Sequence, residues 1–344
     1  MLKNIWLYSV KYSLKVGLFF YYRRIRIYGR ENIPKNKPVL ILGNHQSALM
    51  DALFIVTYID RFIFFLTRAS VFKRSFVDTL LRSLNMIPVY RIRDGWKTIS
   101  KNNAVFEFIA SQLGQGRTVA VFPEGSHNLV RRVRPLSKGF TRIVFNTLEA
   151  YPEKDLQLVP AGVNYIKPTE FGDSVALYYG KPIPAQPYQA LPSNEKVTAL
   201  KRDVHSAISK LTTHINEEGY DETLTKLKDL NVDFLDPETV NACIAQNFNN
   251  CGQRKIDQLK YVKQFFKLLL IANILPPYLL WKFWITPKIK EPEFIGTFRF
   301  AVALVLVPLY LILIGGIIAY LFTFYIALFY IISILLLDIL AVKL

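Results

Sequence analysis

At 344 residues, 51% of them hydrophobic and with a mean hydropathy of +0.22, the chain is too apolar for an ordinary soluble enzyme. Its formal charge of +17 implies an anionic partner, and the apolar excess selects an anionic bilayer over nucleic acid. Cys243 and Cys251 lie near each other without a matching His/Cys cluster, so neither a disulfide framework nor a zinc site is indicated and both are expected to be reduced.

The first 34 residues interleave apolar runs (Ile5-Trp6-Leu7-Tyr8 and Val16 to Tyr22) with basic side chains. Over the first 40 residues there are 9 Lys/Arg against one acid, Glu31. Lys11 and Lys15 interrupt any signal-peptide core, and no small-residue cleavage site follows. Residues 1–34 therefore read as a basic amphipathic helix lying in the membrane interface. A helix simply packed on the domain is the alternative.

From Pro38 onward, short β-rich runs alternate with helical stretches. Strands are expected at Val39–Gly43, Phe62–Thr67, Met86–Arg91, Thr118–Phe122, Leu156–Asn164 and Val175–Tyr179. Helical patterning covers 49–58, 72–83, 97–113 and 138–149. The alternation predicts an α/β domain over 35–185, with a mostly parallel sheet flanked by helices and its site at the strand ends. Gly114-Gln115-Gly116 precedes a strand rather than following one, so it reads as a helix stop and not a nucleotide loop.

Residues 186–262 read as a polar helical extension, with a turn-rich break at Asn247–Gly252, and 263–344 as a membrane region. Ala301 to Leu337 holds no charged residue, and helix of that length would run about 55 Å against an apolar core of about 30 Å. A two-helix hairpin over 301–337, turning near Gly315-Gly316, resolves the excess. The preceding segment, 265–285, is apolar but carries Lys267, Lys282 and Pro276-Pro277. Were it a span, the loop with Lys288, Lys290 and Arg299 would lie outside, against the positive-inside rule. A re-entrant or interfacial 265–285 is expected instead. It gives an integral membrane protein with its catalytic domain on the cytoplasmic face of the inner (cell) membrane.

Two motifs carry chemistry. Asn44-His45-Gln46-Ser47-Ala48-Leu49-Met50-Asp51 follows the apolar run Val39–Leu42, and Phe122-Pro123-Glu124-Gly125-Ser126-His127 follows another strand. An imidazole oriented by a carboxylate makes a general base near neutral pH. In an unbroken helix, His45 and Asp51 would project about 120° apart. His45 must therefore sit in the turn before the helix that carries Asp51. Arg91, Arg93, the run Arg131, Arg132, Arg134 and Lys138 offer cations near the predicted rim, and an arginine fork suits a phosphate. Among these, Arg91 is the preferred phosphate ligand and Lys138 a second candidate, while 131–134 reads as facing membrane or donor. No G-x-S-x-G elbow occurs, which favours direct transfer without an acyl-enzyme.

Over residues 35–185 these motifs resemble, in order, the blocks of the glycerophospholipid acyltransferase family: Asn44-His45 to Asp51, Met86–Arg91, Phe122–Ser126 and Val159-Pro160. Five residues separate His45 from Asp51, where bacterial members commonly have four and the fungal glycerol-3-phosphate branch five. Asn85 stands where glycine is common, and His127 replaces a usual arginine. The resemblance implies that His45 and Asp51 are catalytic and that Arg91 holds an acceptor phosphate. It further implies that Glu124 holds the acceptor through its hydroxyls or by fixing an arginine. Gly125 would permit the tight turn there. Ser126 would donate to the acceptor or cap a helix, and Val159 and Pro160 would line the acyl site.

The implied reaction moves a fatty acyl group from acyl-CoA or acyl carrier protein to 1-acylglycerol 3-phosphate, making phosphatidic acid. No metal and no cofactor beyond that co-substrate is implied. Partners are then anionic membrane lipids, a glycerol-phosphate acceptor and the acyl donor, with no nucleic acid. Glycerol 3-phosphate or another lysolipid or aminolipid is an alternative acceptor. A non-catalytic membrane lipid-binding protein on the same fold is the rival outside the class, and a transporter is a weaker third.

Overall fold

The computed structural model describes residues 2–90, 101–254 and 258–344. Among them the strands are β1 (Arg24–Tyr28), β2 (Val39–Gly43), β3 (Ile63–Arg68), β4 (Met86–Val89), β5 (Thr118–Val121), β6 (Gln157–Tyr165), β7 (Ser174–Tyr179) and β8 (Ile183–Pro184). They form one sheet in the order β1-β7-β6-β2-β5-β3-β4, with β8 on β6. Every pairing is parallel except those of β6 with β7 and with β8. Strand β2 is buried along its whole length, as its unbroken run Val-Leu-Ile-Leu demands of a strand covered on both faces.

The period-2 rule then sorts its side chains. Val39 and Ile41 enter a core with Leu18 and Tyr21 of α1 (Leu2–Tyr21) and Met50 and Phe54 of α2 (Leu49–Thr57). Helix α3 (Ser75–Ser83) follows in the chain and contributes no buried residue. Leu40 and Leu42 point the other way. They meet Ile109 of α4 (Lys101–Gly114) and Phe140 and Ile143 of α5 (Gly139–Ala150). After the short α6 (Gln186–Gln189), Val204 and Ile208 of α7 (Lys196–Lys210) complete that face.

Two boundaries move. Residues 24–28 are not part of an interfacial helix: β1 pairs in parallel with β7, from Arg24 opposite Ser174 to Tyr28 opposite Tyr178. The alternation Arg-Ile-Arg-Ile-Tyr was its signal, outer arginines exposed and isoleucines turned inward. At the other end, α7 belongs to the sheet domain rather than to an extension, because Leu200, Val204 and Ile208 are fully buried in its second core.

Beyond it, α8 (Tyr220–Asp229) and α9 (Pro237–Ala245) share a small core of their own with Leu227, Val240 and Cys243. Here Cys243 and Cys251 are bonded in a disulfide across a separation of 8 residues, contrary to the expectation of free thiols. The turn-rich break at 247–252 is what folds Cys251 back onto α9, with Asn247, Phe248 and Asn250 all at positive φ.

The C-terminal region comprises α10 (Lys260–Asn273), α11 (Leu275–Leu279), α12 (Phe294–Leu321) and α13 (Phe324–Lys343). Helices α12 and α13 are each long and apolar enough to cross a membrane. Between α10 and the helical stretch 275–288 the chain bends by 100°, where Pro276-Pro277 removes two backbone donors and disfavours helix before it.

The hairpin turn falls at Phe322-Thr323 and not at Gly315-Gly316. Thr323 supplies the helix start, its hydroxyl accepting from the Ile326 N–H at 3.3 Å. Gly315 instead lets the helices approach: a Cβ there would lie 2.9 Å from Ile331 Cδ1, whereas one on Gly316 meets nothing within 4 Å. Gly315→Leu is therefore expected to lower the thermal unfolding temperature of the detergent-solubilised protein, with Gly316→Leu close to wild type. Equal effects of the two would dismiss Gly315 as a packing position. Both hairpin ends return to the sheet domain, since Lys343 Nζ donates to the Tyr22 carbonyl at 2.6 Å and Arg299 Nη1 to that of Thr169 at 2.9 Å.

Candidate active site

Strand β2 lies between β5 and β6. The helix after β2 packs on one face of the sheet and the helix after β5 on the other. That divergence opens a crevice at the carboxyl ends of β2 and β5, which is where α/β sheets bind ligands. Both sequence motifs empty into it.

The first motif is held by its own backbone. Asn44, 7% exposed, exchanges two hydrogen bonds with Val163 of β6: its Nδ2 donates to the carbonyl at 3.0 Å and the Val163 N–H donates to Oδ1 at 2.7 Å. The chain then turns through Ala48 at φ 43°, ψ −125°, a conformation that costs a non-glycine residue on the order of 1–3 kcal/mol. Helix α2 starts only after it, so His45 stands in the turn and Asp51 in the first helical turn.

Asp51 is 0% exposed and is clamped by donors. Its Oδ2 accepts from the Gln46 and Ser47 N–H groups at 2.8 Å each and from His45 Nδ1 at 2.9 Å, while Oδ1 accepts from the Tyr165 hydroxyl at 2.7 Å. A carboxylate tied on both oxygens cannot rotate away, so it fixes the ring and the tautomer of His45 and leaves Nε2 with its lone pair. The imidazole also stacks on Phe122, centroids 4.1 Å apart and planes within 7°. Tyr165 and Phe122 are the supporting residues that sequence alone did not single out for this role. The tyrosine lies at the far end of β6, with no local pattern linking it to Asp51.

The second motif supports the first. Glu124, its side chain 2% exposed, accepts from the His45 N–H at 3.0 Å through Oε1 and from Arg134 Nε at 2.7 Å through Oε2. Burial pushes its carboxyl above the usual range, and the Arg134 guanidinium works against that shift. Arg134 reaches on to Ser126, its Nη1 donating to Oγ at 2.8 Å and its Nη2 to the carbonyl. Gly125 makes the turn between them at φ 74°, in the left-handed region. Ser126 caps no helix, since α5 begins only at Gly139.

The run 131–134 does not face the membrane. Arg131 is half-buried, donating to the Tyr165 and Ile166 carbonyls at 2.8 Å and lying 3.8 Å over the Phe234 ring; desolvation of its guanidinium pulls its pKa down to about 10. Arg132 pairs with Glu217 at 3.1 Å. Side-chain direction, which decides these assignments, is set by the long loop between β5 and α5 and is invisible in a basic run.

Arg91 and Arg93 lie outside the described residues. The strand leading to Arg91 is well fixed: Tyr90 N donates to Asn102 Oδ1 at 2.9 Å and Asn102 Nδ2 to the Tyr90 carbonyl at 2.7 Å. Asn85 sits at φ 61°, which accounts for asparagine where glycine is usual. Lys138 is exposed immediately before α5. Val159 and Pro160 lie in mid-β6 opposite Ile41 and Leu42, both buried beneath the rim rather than lining an open cavity.

One neighbour comes from the C-terminal helical region. His127 lies edge-on to the His45 ring at 5.5 Å and to Phe294 at 4.7 Å, with its Nε2 3.4 Å from Glu291 Oε2. Burial, and then the adjacent His45, hold its pKa below the ordinary value, so it is neutral at pH 7 and is not a phosphate cation. Ligand atoms of His127, Glu291 and Glu293 fall within 4.8 Å of one another; with Glu291 exposed, the grouping carries no metal assignment. At Gly296 a Cβ would come within 3.0 Å of the Pro168 carbonyl and 3.5 Å of Ser47 Oγ, so the first turn of α12 packs directly on the His45 turn.

The sequence model of the Acyltransferase family matches residues 24–164. The 1-acyl-sn-glycerol-3-phosphate acyltransferase of Borreliella burgdorferi is 30% identical over 134 residues, covering 39% of this chain and 51% of that protein. The glycerol-3-phosphate O-acyltransferase 1 of Saccharomyces cerevisiae is 25% identical over 81 residues, 24% of this chain and 11% of that one. The chain thus spans about half the length of the bacterial relative and a small part of the yeast one. The crystal structure of the 1-acyl-sn-glycerophosphate acyltransferase from Thermotoga maritima aligns with a TM-score of 0.42 at 19% identity, over 64% of this chain and 81% of that one. The family match opens at β1, where the sheet itself begins, and contains His45, Asp51, Glu124 and Val159-Pro160. Over residues 24–164, the segment that holds both site motifs, the chain thus matches the Acyltransferase family and is similar to a 1-acyl-sn-glycerol-3-phosphate acyltransferase.

Proposed function

We propose that this protein is a membrane-bound O-acyltransferase that moves a fatty acyl group from acyl-CoA or acyl carrier protein to the free hydroxyl of 1-acylglycerol 3-phosphate, giving phosphatidic acid. The observation that carries the reading is His45, its Nδ1 tied 2.9 Å from the buried Asp51 and its Nε2 left for a hydroxyl proton. In the proposed step Nε2 accepts that proton as the acceptor oxygen attacks the thioester carbonyl, and Asp51 stabilises the imidazolium. The tetrahedral adduct collapses, the C–S bond breaks, and the imidazolium returns the proton to the departing thiolate. No acyl-enzyme is needed, because the acceptor hydroxyl attacks the thioester directly. Glu124 serves by fixing Arg134 and the His45 backbone, with both its oxygens already occupied.

Purified protein in detergent, given labelled acyl donor, is expected to label 1-acylglycerol 3-phosphate. Labelling of glycerol 3-phosphate alone would favour the alternative acceptor, which the five-residue spacing of His45 and Asp51 also suggests. Transfer to no hydroxyl acceptor at all would leave the non-catalytic reading. Arg91 is the proposed phosphate ligand. Arg91→Ala should raise the acceptor KM far more than the donor KM, and Arg91→Lys should recover only part, since an ammonium lacks the fork. A rise in donor KM instead would move Arg91 to the donor site.

We assign the catalytic domain to the cytoplasmic face, where the acyl donors are and where the Lys288, Lys290 and Arg299 loop satisfies the positive-inside rule. Disulfides persist in oxidising compartments, and the Cys243–Cys251 bond therefore opposes this assignment. The two cysteines are the test. In intact cells, thiols that react with a permeant maleimide and are shielded from an impermeant one would support the cytoplasmic face. Recovery of both as a disulfide would place the domain on the other face.

A further inference from the structure

A cavity of about 900 Å³ lies in the membrane region, walled by α1, the elbow of α10 and α11, and the hairpin α12–α13. Its size is that of a ligand site, roughly 300–1,000 Å³ in most proteins. Its depth is apolar, with Val307, Leu311 and Ile334 among its walls. Its polar end lies against the sheet domain, where Arg299, Lys267 and Tyr21 converge with Glu170.

The polar groups are only partly satisfied. Arg299 gives one hydrogen bond to the Thr169 carbonyl at 2.9 Å and stacks 5.1 Å from the Trp281 ring. Lys267 lies 5.8 Å from the Phe171 ring. Among the described residues neither cation has a carboxylate within ion-pair distance, because Glu170 is taken by Lys167 at 2.9 Å. The Tyr21 hydroxyl is buried against the Arg299 guanidinium, its residue 2% exposed, and Asp338 Oδ2 on α13 has no hydrogen-bond partner. Buried polar groups are rarely left so, and ionisable residues within an apolar helical region mark ligand sites by default.

We propose that this cavity binds a glycerophospholipid, its phosphate on Arg299 and Lys267 and its acyl chain between α1 and the hairpin. The two unpaired cations match the phosphate in charge, and the Tyr21 hydroxyl is a further donor to its oxygens. The site is distinct from the one at His45: α12 separates them, with Gly296 on the His45 turn and Arg299 a helical turn later in the cavity. A lipid held here braces α12 against α1 and so sets the position of Phe294 beside His127.

Native mass spectrometry of the full-length protein in detergent, with phosphatidic acid and diacylglycerol of identical chains, isolates the phosphate contribution. Wild type should retain phosphatidic acid at least 10-fold more strongly than diacylglycerol, since only the phosphate makes charge-assisted contacts to Arg299 and Lys267. The Arg299→Gln/Lys267→Gln protein should lose that preference. Val307→Phe, which fills the cavity and leaves both cations, should lower retention of phosphatidic acid while inorganic phosphate fails to compete for the wild-type site. His45→Ala should bind as wild type does, so that loss of transfer and loss of lipid are read separately. Equal retention of the two lipids by wild type, or an unchanged preference in the double variant, would overturn the site. So would unchanged retention in Val307→Phe. Absence of acyl transfer with lipid binding intact would instead count against the proposed reaction alone.

Discussion

His45→Ala is expected to reduce acyl transfer by about 10²–10⁴-fold, the usual contribution of a positioned general base. The protein should remain folded. Its imidazole stacks on Phe122 at the rim, and the Asn44 bonds to Val163 that hold the turn do not involve it. Asp51→Asn should cost less activity than His45→Ala but more stability. The carboxylate accepts from two backbone N–H groups and a tyrosine hydroxyl as well as from His45, and an amide nitrogen in place of Oδ2 would face three donors with a donor. Initial-rate assays at saturating donor and acceptor, beside thermal unfolding of the same preparations, measure both effects. Retention of more than about a tenth of wild-type turnover by His45→Ala removes it as the base.

The second large effect is expected at Arg134. Its partner Glu124 is 2% exposed in its side chain, so Arg134→Ala would leave a buried carboxylate without its counter-charge, a change that typically costs about 3–5 kcal/mol. Part of that cost is relieved by protonation, because burial already raises the Glu124 pKa and loss of the arginine raises it further. The Arg134→Ala protein should therefore be less destabilised at pH 5 than at pH 8. Arg134→Ala combined with Glu124→Gln should recover stability, since no charge is then stranded, but not activity, since Ser126 loses its tie to Arg134 and a neutral amide accepts less strongly from the His45 N–H. Thermal unfolding across that pH range decides the matter. Equal destabilisation at both values would mean that Glu124 is not the group left uncompensated.

The candidate site was legible in sequence wherever chemistry and local backbone coincide. His45 and Asp51 fall in one turn and the helix that follows it, and Glu124-Gly125-Ser126 in another turn, so their spacing alone placed them at strand ends. Arg134 was visible only as one of several arginines. What chooses it for Glu124, and sends Arg131 into Tyr165 and Ile166 instead, is the path of the loop between β5 and α5. Tyr165 is more remote still, more than a hundred residues from the Asp51 that it binds, and reaches it because β6 pairs with β2.

Element type followed from period. The buried run of β2 and the uncharged stretch 301–337 each state their environment in their own residues, whereas residues 24–28 read as interfacial helix until their pairing with β7 showed a strand. The hairpin turn did not follow, because glycine in an apolar helix serves close packing as readily as a turn, and only the position of Ile331 opposite Gly315 separates the two uses. The disulfide likewise depends on a backbone path, through the positive-φ residues of 247–250, that a pair of cysteines cannot state. Sequence by itself thus determined the α/β sheet, the His45–Asp51 pair and the apolar C-terminal region, since each rests on contacts or patterns within a few residues. Tertiary structure alone decided that Arg134 and Tyr165 complete the site, that β1 and α7 belong to its domain, and that α12 packs against the His45 turn. Those contacts join segments far apart in the chain, and the sheet order that brings them together is written in no single segment.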